Sequence, residues 1–158
     1  MITEKSDIIK NEFTAYCGLY CRDCIRFQSK ASKLAEKLIE EFNVKNYSKY
    51  SEIKKETAHE FKAYEACVSL LSTISQFSCD VPCRAGGDGC GGKCKIIQCV
   101  KEKTIAGCWE CSIFENCNKL TFLKPMHQTS FMENLKLIKK HGIDNWEKHR
   151  KKCYPWDK

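Results

Sequence analysis

The chain has 158 residues, of which 42% are hydrophobic and 30% are charged, and its formal net charge is +7. This composition suits one globular domain of modest size and excludes an intrinsically disordered chain. The positive charge is concentrated in residues 118–158, which hold ten basic and four acidic side chains. Because a divalent ion bound by four thiolates is a net anion, metal binding would offset part of this charge. The basic charge is therefore weak support for nucleic-acid binding.

The first residues and the length of the apolar runs indicate the cellular compartment of the protein. Residues 1–13 carry charges where a secretory signal needs an unbroken apolar run. No stretch approaches the roughly 18 consecutive apolar residues of a membrane span. We therefore expect a cytoplasmic protein without membrane association, whose thiols stay reduced.

The first predicted elements, over residues 13–78, are a cysteine motif and two helices. Residues 13–16 are typical of a short strand, and the three cysteines of residues 17–24 follow directly. Apolar side chains at helical spacing predict one helix over residues 25–42 and a second from residue 51 to about residue 77.

The N-terminal motif, Cys17-x3-Cys21-x2-Cys24, lies at the predicted start of the first helix, where Asp23 could act as the N-cap. The positive end of the helix dipole favours thiolate over thiol and would help these side chains to bind metal or to act as nucleophiles. Cys67 lies alone on the second predicted helix and is interpreted as a small buried side chain.

Residues 79–117 differ sharply in composition from the helices before them. They hold eight cysteines, and five glycines fall within residues 86–92. Such a stretch cannot build its own core, so we expect metal–ligand bonds to hold it as a zinc-ribbon-like segment. A short helix is predicted to follow Cys94 and to end before Cys108-x2-Cys111, which has zinc-knuckle spacing.

The candidate metal ligands are the eleven cysteines of these two sets: Cys17, Cys21, Cys24, Cys79, Cys83, Cys90, Cys94, Cys99, Cys108, Cys111 and Cys117. The last eight would complete two four-coordinate sites. Their pairing is open between an interleaved arrangement and a sequential split into Cys79, Cys83, Cys90 and Cys94 against Cys99, Cys108, Cys111 and Cys117. The N-terminal three lack a fourth ligand, for which the candidates are Cys153, His59, His127, His141 and His149.

Zinc (Zn2+), as two or three ions, is the expected metal. Iron–sulfur (4Fe-4S) clusters also take four thiolates, but the bacterial ferredoxin run C-x2-C-x2-C-x3-C-P is absent. Radical S-adenosylmethionine enzymes hold their cluster with the spacing of the N-terminal motif, but they use most of an α/β barrel that takes about 250 residues. No alternation of strands and helices follows the motif here. A disulfide framework is disfavoured because no export signal is present.

Residues 118–158 return to helical patterning. Ser130 and Glu133 form a capping-box pattern, and Gly142 suits the position after the last turn of the same helix. A final short helix is predicted over residues 146–152. Together, the patterns predict one domain over residues 1–158, of α+β class but mostly α, with helices packed on the cysteine-rich, zinc-ribbon-like metal-binding segment.

Two elements resemble a known family. The run YCGLYCRDC at residues 16–24 is similar to a YCGLxCxxC pattern, and residues 94–117 are similar to the patterns C-x-I-x-x-C and C-x2-C-x2-F-x-x-C. Over residues 14 to about 150, the chain resembles the bacterial and archaeal family of unknown function numbered 3795. The resemblance implies a small, cytosolic, metal-binding protein and carries over no reaction.

These observations leave several functional hypotheses. The favoured one is an uncharacterised small metal-binding protein with a structural role or a role in binding a protein or a small molecule. The alternatives are an iron–sulfur redox or electron-transfer protein, and a metal- or thiolate-dependent enzyme using Cys17, Cys21 and Cys24. The basic and aromatic segment 148–156 could bind nucleic acid, but a solvated helix end is the favoured interpretation.

Overall fold

The computed structural model describes residues 11–90, 92–151 and 154. It is about 63% helical and, within those residues, contains no strand. An antiparallel bridge joins Thr14 to Tyr20. The predicted α+β class, with its zinc-ribbon-like segment, is therefore wrong, and the fold is all-α.

Local geometry explains the missing strand at residues 13–16. The chain reverses at once, because the Gly18 N–H donates to the Ala15 carbonyl at 2.9 Å and the Ala15 N–H donates to the Leu19 carbonyl at 2.8 Å. Gly18 has a φ of +85°, which glycine adopts without steric cost. The result is a closed loop rather than a strand. Residues 79–117 likewise lack the alternation of apolar and polar side chains that a ribbon's hairpins need.

Seven α-helices lie within the described residues: α1 (Ile25–Gln28), α2 (Ala31–Val44), α3 (Tyr47–Lys54), α4 (Tyr64–Ser75), α5 (Lys95–Glu102), α6 (Lys124–His127) and α7 (Ser130–His141). Short 3-10 turns lie at Cys21–Asp23, His59–Ala63, Cys83–Ala85, Cys108–Glu110, Phe114–Asn116, Asn118–Leu123 and Trp146–His149. None of the helices in the described part of the chain is long and apolar enough to cross a membrane. The chain divides into two compact units, one of Met1–Cys24 with Cys79–Lys158 and one of Ile25–Ser78.

The Ile25–Ser78 unit is built on the packing of α2 against α4. The single helix predicted from residue 51 to about residue 77 is wrong, because α3 ends at Lys54 and α4 begins only at Tyr64. A continuous helix would separate Tyr50 from Phe61 by about 16 Å along its axis. Their ring centroids are instead 5.7 Å apart, in a cluster of five aromatic rings from Phe42, Tyr47, Tyr50, Phe61 and Tyr64. Aromatic packing therefore accompanies the reversal of the chain between α3 and α4.

The core of the other unit is centred on α7. Phe131, Leu135 and Ile138 recur at helical spacing and are each at most 1% exposed, as expected for the buried stripe of an amphipathic helix. The predicted capping box is wrong, since α7 begins at Ser130 after Thr129 and no side chain of the described residues caps its first turn. The Thr129 hydroxyl instead donates to the Glu133 carboxylate at 2.8 Å. The predicted end of the helix is confirmed, because Gly142 follows it with a φ of +76°. The helix predicted after Cys94 is confirmed as α5.

Candidate metal centre

The loop that carries Cys17 is seated on α7. The buried Asn134 side chain donates from Nδ2 to the Gly18 carbonyl at 2.8 Å. A Cβ added at Gly18 would lie 2.7 Å from the Leu135 side chain, so the loop approaches the helix as closely as a residue without a side chain allows. The Trp146 indole donates to the Thr14 hydroxyl at 3.2 Å from the other side. The core thus fixes the position of Cys17.

The second half of the same motif is held by charged and aromatic groups near the C-terminus. Arg150 pairs with Asp23 through two hydrogen bonds, and both side chains are largely buried. The guanidinium also lies 4.2 Å from the ring centroid of Tyr20, whose hydroxyl donates to the Glu147 carboxylate. Burial, followed by this hydrogen bond, raises the pKa of Tyr20 to about 12. Asp23, predicted as a helix cap, is therefore an ion-pair partner.

The N-terminal loop also meets the cysteine-rich segment. The Cys108 N–H donates to the Tyr16 carbonyl at 2.9 Å, and backbone N–H groups of Tyr16 and Arg84 hydrogen-bond to the Cys83 sulfur. Burial raises the pKa of the Cys83 thiol, and these backbone hydrogen bonds offset part of that rise because they favour the charged form. The motif that seemed to lack a fourth ligand in the sequence thus has Cys83 beside it.

Six cysteines in this region interact electrostatically and form what we call the first thiol group. Burial raises the pKa of Cys17 and Cys21, and repulsion from the neighbouring thiolates raises both further. Cys83 and Cys90 act on both of these thiols, which places the N-terminal loop and the glycine-rich segment side by side. The group consists of Cys17, Cys21, Cys24, Cys79, Cys83 and Cys90.

Four further cysteines form the second thiol group: Cys99, Cys108, Cys111 and Cys117. Burial raises the pKa of Cys108 to about 12, and the other three thiolates raise it too. Cys99 lies on α5, and the others begin or follow two successive 3-10 turns. Cys94 interacts with Cys83 of one group and Cys108 of the other, and Cys17 of the first group also interacts with Cys108. The pairing of the cysteines into sites stays a prediction.

Cys111 differs from its neighbours because its surroundings favour the thiolate. The backbone N–H of Ile113 hydrogen-bonds to its sulfur, and the Lys103 ammonium lies 3.4 Å from that sulfur. Together they lower the pKa of Cys111, with the backbone bond as the larger cause. In the same way, the N–H of Leu19 hydrogen-bonds to the sulfur of Cys17, which lies two residues before it in the chain. Sequence reasoning missed Lys103, which no ligand spacing marks.

The backbone has nearly the same conformation at the closing cysteines of three turns. The values of φ and ψ are −78° and 122° at Cys24, −76° and 126° at Cys111, and −78° and 113° at Cys117. Each of these residues donates its N–H to the carbonyl three residues earlier, at 3.0 to 3.3 Å. The C-x2-C spacing of CRDC and CWEC is thus folded as one repeated turn.

The donor set fits a thiophilic metal, although its geometry is not that of a finished site. No three His, Cys, Asp or Glu side chains of the described residues converge closely enough to hold an ion. The chemistry of the donors is nevertheless that of zinc and iron–sulfur sites, which take four thiolates each. The ligand roles of the eleven cysteines stay predictions.

The histidines proposed as a fourth ligand have other neighbours. The His127 ring packs edge-on against Tyr154 at 5.4 Å between centroids, and His141 stacks on His149 at 3.8 Å. His59 lies in the other compact unit.

The remaining two cysteines fall outside both thiol groups as described. Cys153, the other candidate for a fourth ligand, lies outside the described residues. Cys67 is exposed on α4, so its interpretation as a buried side chain is wrong.

Comparison with known proteins places the chain in a family. A family model described as "Protein of unknown function (DUF3795)" matches residues 13–122, which include both thiol groups and Cys94. No curated protein and no solved structure matches the chain. The resemblance predicted from the cysteine patterns is thereby confirmed, and the chain belongs to the DUF3795 family.

Proposed function

We propose that this protein binds zinc through its two thiol groups, and that the metal organises a surface for a protein or small-molecule partner. The observation that carries the proposal is the second thiol group. Its four cysteines come from one helix and two successive turns, and it has the number of donors that a closed tetrahedral zinc site requires.

The surroundings of the second group suit a structural zinc. Trp109 and Phe114, which lie between its cysteines in the chain, are 7% and 2% exposed. A metal ion would replace the protons of buried thiols and bind the turns to one another, so its binding energy would add to the stability of the fold. The nearby Lys103 ammonium would offset part of the negative charge of a tetrathiolate.

The first group supplies a second site from four of its six thiols. Cys17 and Cys21 from the N-terminal loop, with Cys83 from the glycine-rich segment, give three ligands from distant parts of the sequence. An ion there would tie the two segments together. An iron–sulfur cluster at this position is the second candidate, because Cys83 gives the N-terminal set the fourth cysteine that a 4Fe-4S cluster requires.

Metal analysis of protein purified without oxygen tests the proposal. We expect two zinc ions per chain and no visible absorbance, whereas iron with inorganic sulfide would favour the cluster. In the variant Cys108→Ser we expect the loss of one zinc ion. The matched control is Cys67→Ser, since Cys67 is exposed and belongs to neither group. Substoichiometric metal in the wild-type protein, or equal metal content in both variants, would refute the proposal.

A further inference from the structure

A groove of about 500 Å³ runs along one side of α5. Ile97 and Lys101 line it at helical spacing, and Tyr16 lines it from the N-terminal loop. The remaining wall comes from the segment before α5, including Arg84 and Lys93. All of these residues belong to one compact unit. The volume lies within the usual range for small-molecule sites.

The charged side chains of the groove are mostly positive. Arg84, Lys93 and Lys101 line it, against the carboxylate of Asp88 and the thiols of Cys83 and Cys94. The structure shows no ion pair for any of the three cations among the described residues. A cluster of cations without neutralising partners favours an anionic ligand, since the cations would otherwise repel one another.

Arg84 is the fixed cation of the groove. Its Nη1 donates to the Ala106 carbonyl at 2.6 Å, and its guanidinium lies 5.2 Å from the Tyr16 ring centroid and 5.6 Å from that of Trp109. Its Nε is buried and has no hydrogen-bond partner among the described residues. The Ala106 carbonyl and the two rings hold the guanidinium in place, so an anion in the groove would meet a preorganised cation.

We propose that this groove binds a small phosphate-bearing molecule, with the phosphate on Arg84, Lys93 and Lys101 and the body of the molecule against Tyr16 and Ile97. A phosphate matches three cations better than a carboxylate does, because it carries more charge and more acceptor oxygens. The inference rests on the proposed function in that it names the small-molecule partner. It does not depend on which metal the thiol groups hold.

Calorimetric titration of the protein as purified, with its metal content measured on the same sample, tests this inference. The probes are inorganic phosphate, adenosine monophosphate and, as a neutral control, adenosine. We expect the two phosphates to bind at millimolar concentration or below and adenosine not to bind. Absence of binding by both phosphates in a metal-loaded sample would overturn the inference and leave the metal proposal standing. Binding of phosphate by a sample without stoichiometric metal would support this inference and refute the metal proposal.

Two charge reversals on the same helix locate the binding site. Lys101 lines the groove and Lys95 does not, although both are exposed on α5. We expect Lys101→Glu to weaken phosphate binding by at least about tenfold, the effect of losing one charge-assisted contact. Lys95→Glu should change it by less than about twofold, because its effect is screened. Equal losses in the two folded variants would show attraction to overall charge and would overturn the assignment.

Discussion

The buried ion pair between Asp23 and Arg150 offers the sharpest test of how the cysteine motif is held. The two side chains are 8% and 13% exposed and form a two-pronged contact. We expect Arg150→Ala to destabilise the protein by about 3–5 kcal/mol, since it leaves the Asp23 carboxylate buried without its partner. The lost contact with the Tyr20 ring adds about 0.5–1 kcal/mol. The free energy of unfolding of a typical domain is about 5–15 kcal/mol, so the variant should be close to unfolding.

Equilibrium unfolding in urea, followed by tryptophan fluorescence, measures this effect. Trp146 is 1% exposed and contacts Tyr20 edge-on at 5.7 Å, so it reports on the same region. Lys148→Ala is the matched control, because Lys148 is exposed and lies two residues from Arg150. It should change the free energy of unfolding by less than about 0.5 kcal/mol.

Two further variants separate charge from geometry. Arg150→Lys keeps the charge but loses the planar fork, so it should cost about 1.5–3 kcal/mol. Combining Asp23→Leu with Arg150→Met should cost less than the sum of the single changes, since neither charge is then left alone. If Arg150→Ala were no more destabilising than Lys148→Ala, the ion pair would not hold the motif and the reasoning would be wrong.

Three other predictions follow from the described geometry. Gly18→Ala should lower the free energy of unfolding by at least about 2 kcal/mol in the same assay, because of its φ of +85° and the 2.7 Å approach to Leu135. A change below about 0.5 kcal/mol, which is the scatter of surface substitutions, would contradict it. Tyr20 should ionise near pH 12 in an ultraviolet titration compared with Tyr20→Phe. Since its pKa is raised on folding, its stabilising contribution is present below about pH 10 and is lost as the pH rises through 12; ionisation near pH 10 would refute this. Chelation should make residues 79–117 sensitive to protease while residues 25–78 stay resistant, and unchanged resistance of residues 79–117 would contradict the metal proposal.

Elements encoded by local patterns were predicted well. The helix after Cys94 and the end of α7 at Gly142 depend on side-chain spacing and on one backbone conformation, both of which can be identified in the sequence. The predicted start of α7 was one residue late, because Thr129 and Ser130 are both favourable N-cap residues and the sequence does not show which of them precedes the first helical residue.

Elements decided by tertiary contacts were not predicted. The break between α3 and α4 brings Tyr50 to Phe61, and no local signal announces that contact. The association of Cys17 and Cys21 with Cys83 likewise joins residues more than 60 positions apart. Composition and spacing therefore predicted cysteine as the candidate ligand, whereas the grouping of the cysteines required the fold.

The distribution of core residues predicts that the two thiol groups differ in how much the surrounding segments depend on metal for stability. Within the described residues of 79–94, Pro82 is buried and Cys83 and Cys94 pack against the core, but no side chain joins the main hydrophobic cluster, which resumes only at Ile96. That segment therefore has little packing of its own to hold it against the N-terminal loop. The second group, by contrast, surrounds Trp109 and Phe114, which belong to the buried core. If each group holds one ion, chelation should expose residues 79–94 to protease first, and the turns of the second group should become sensitive more slowly because the core supports them.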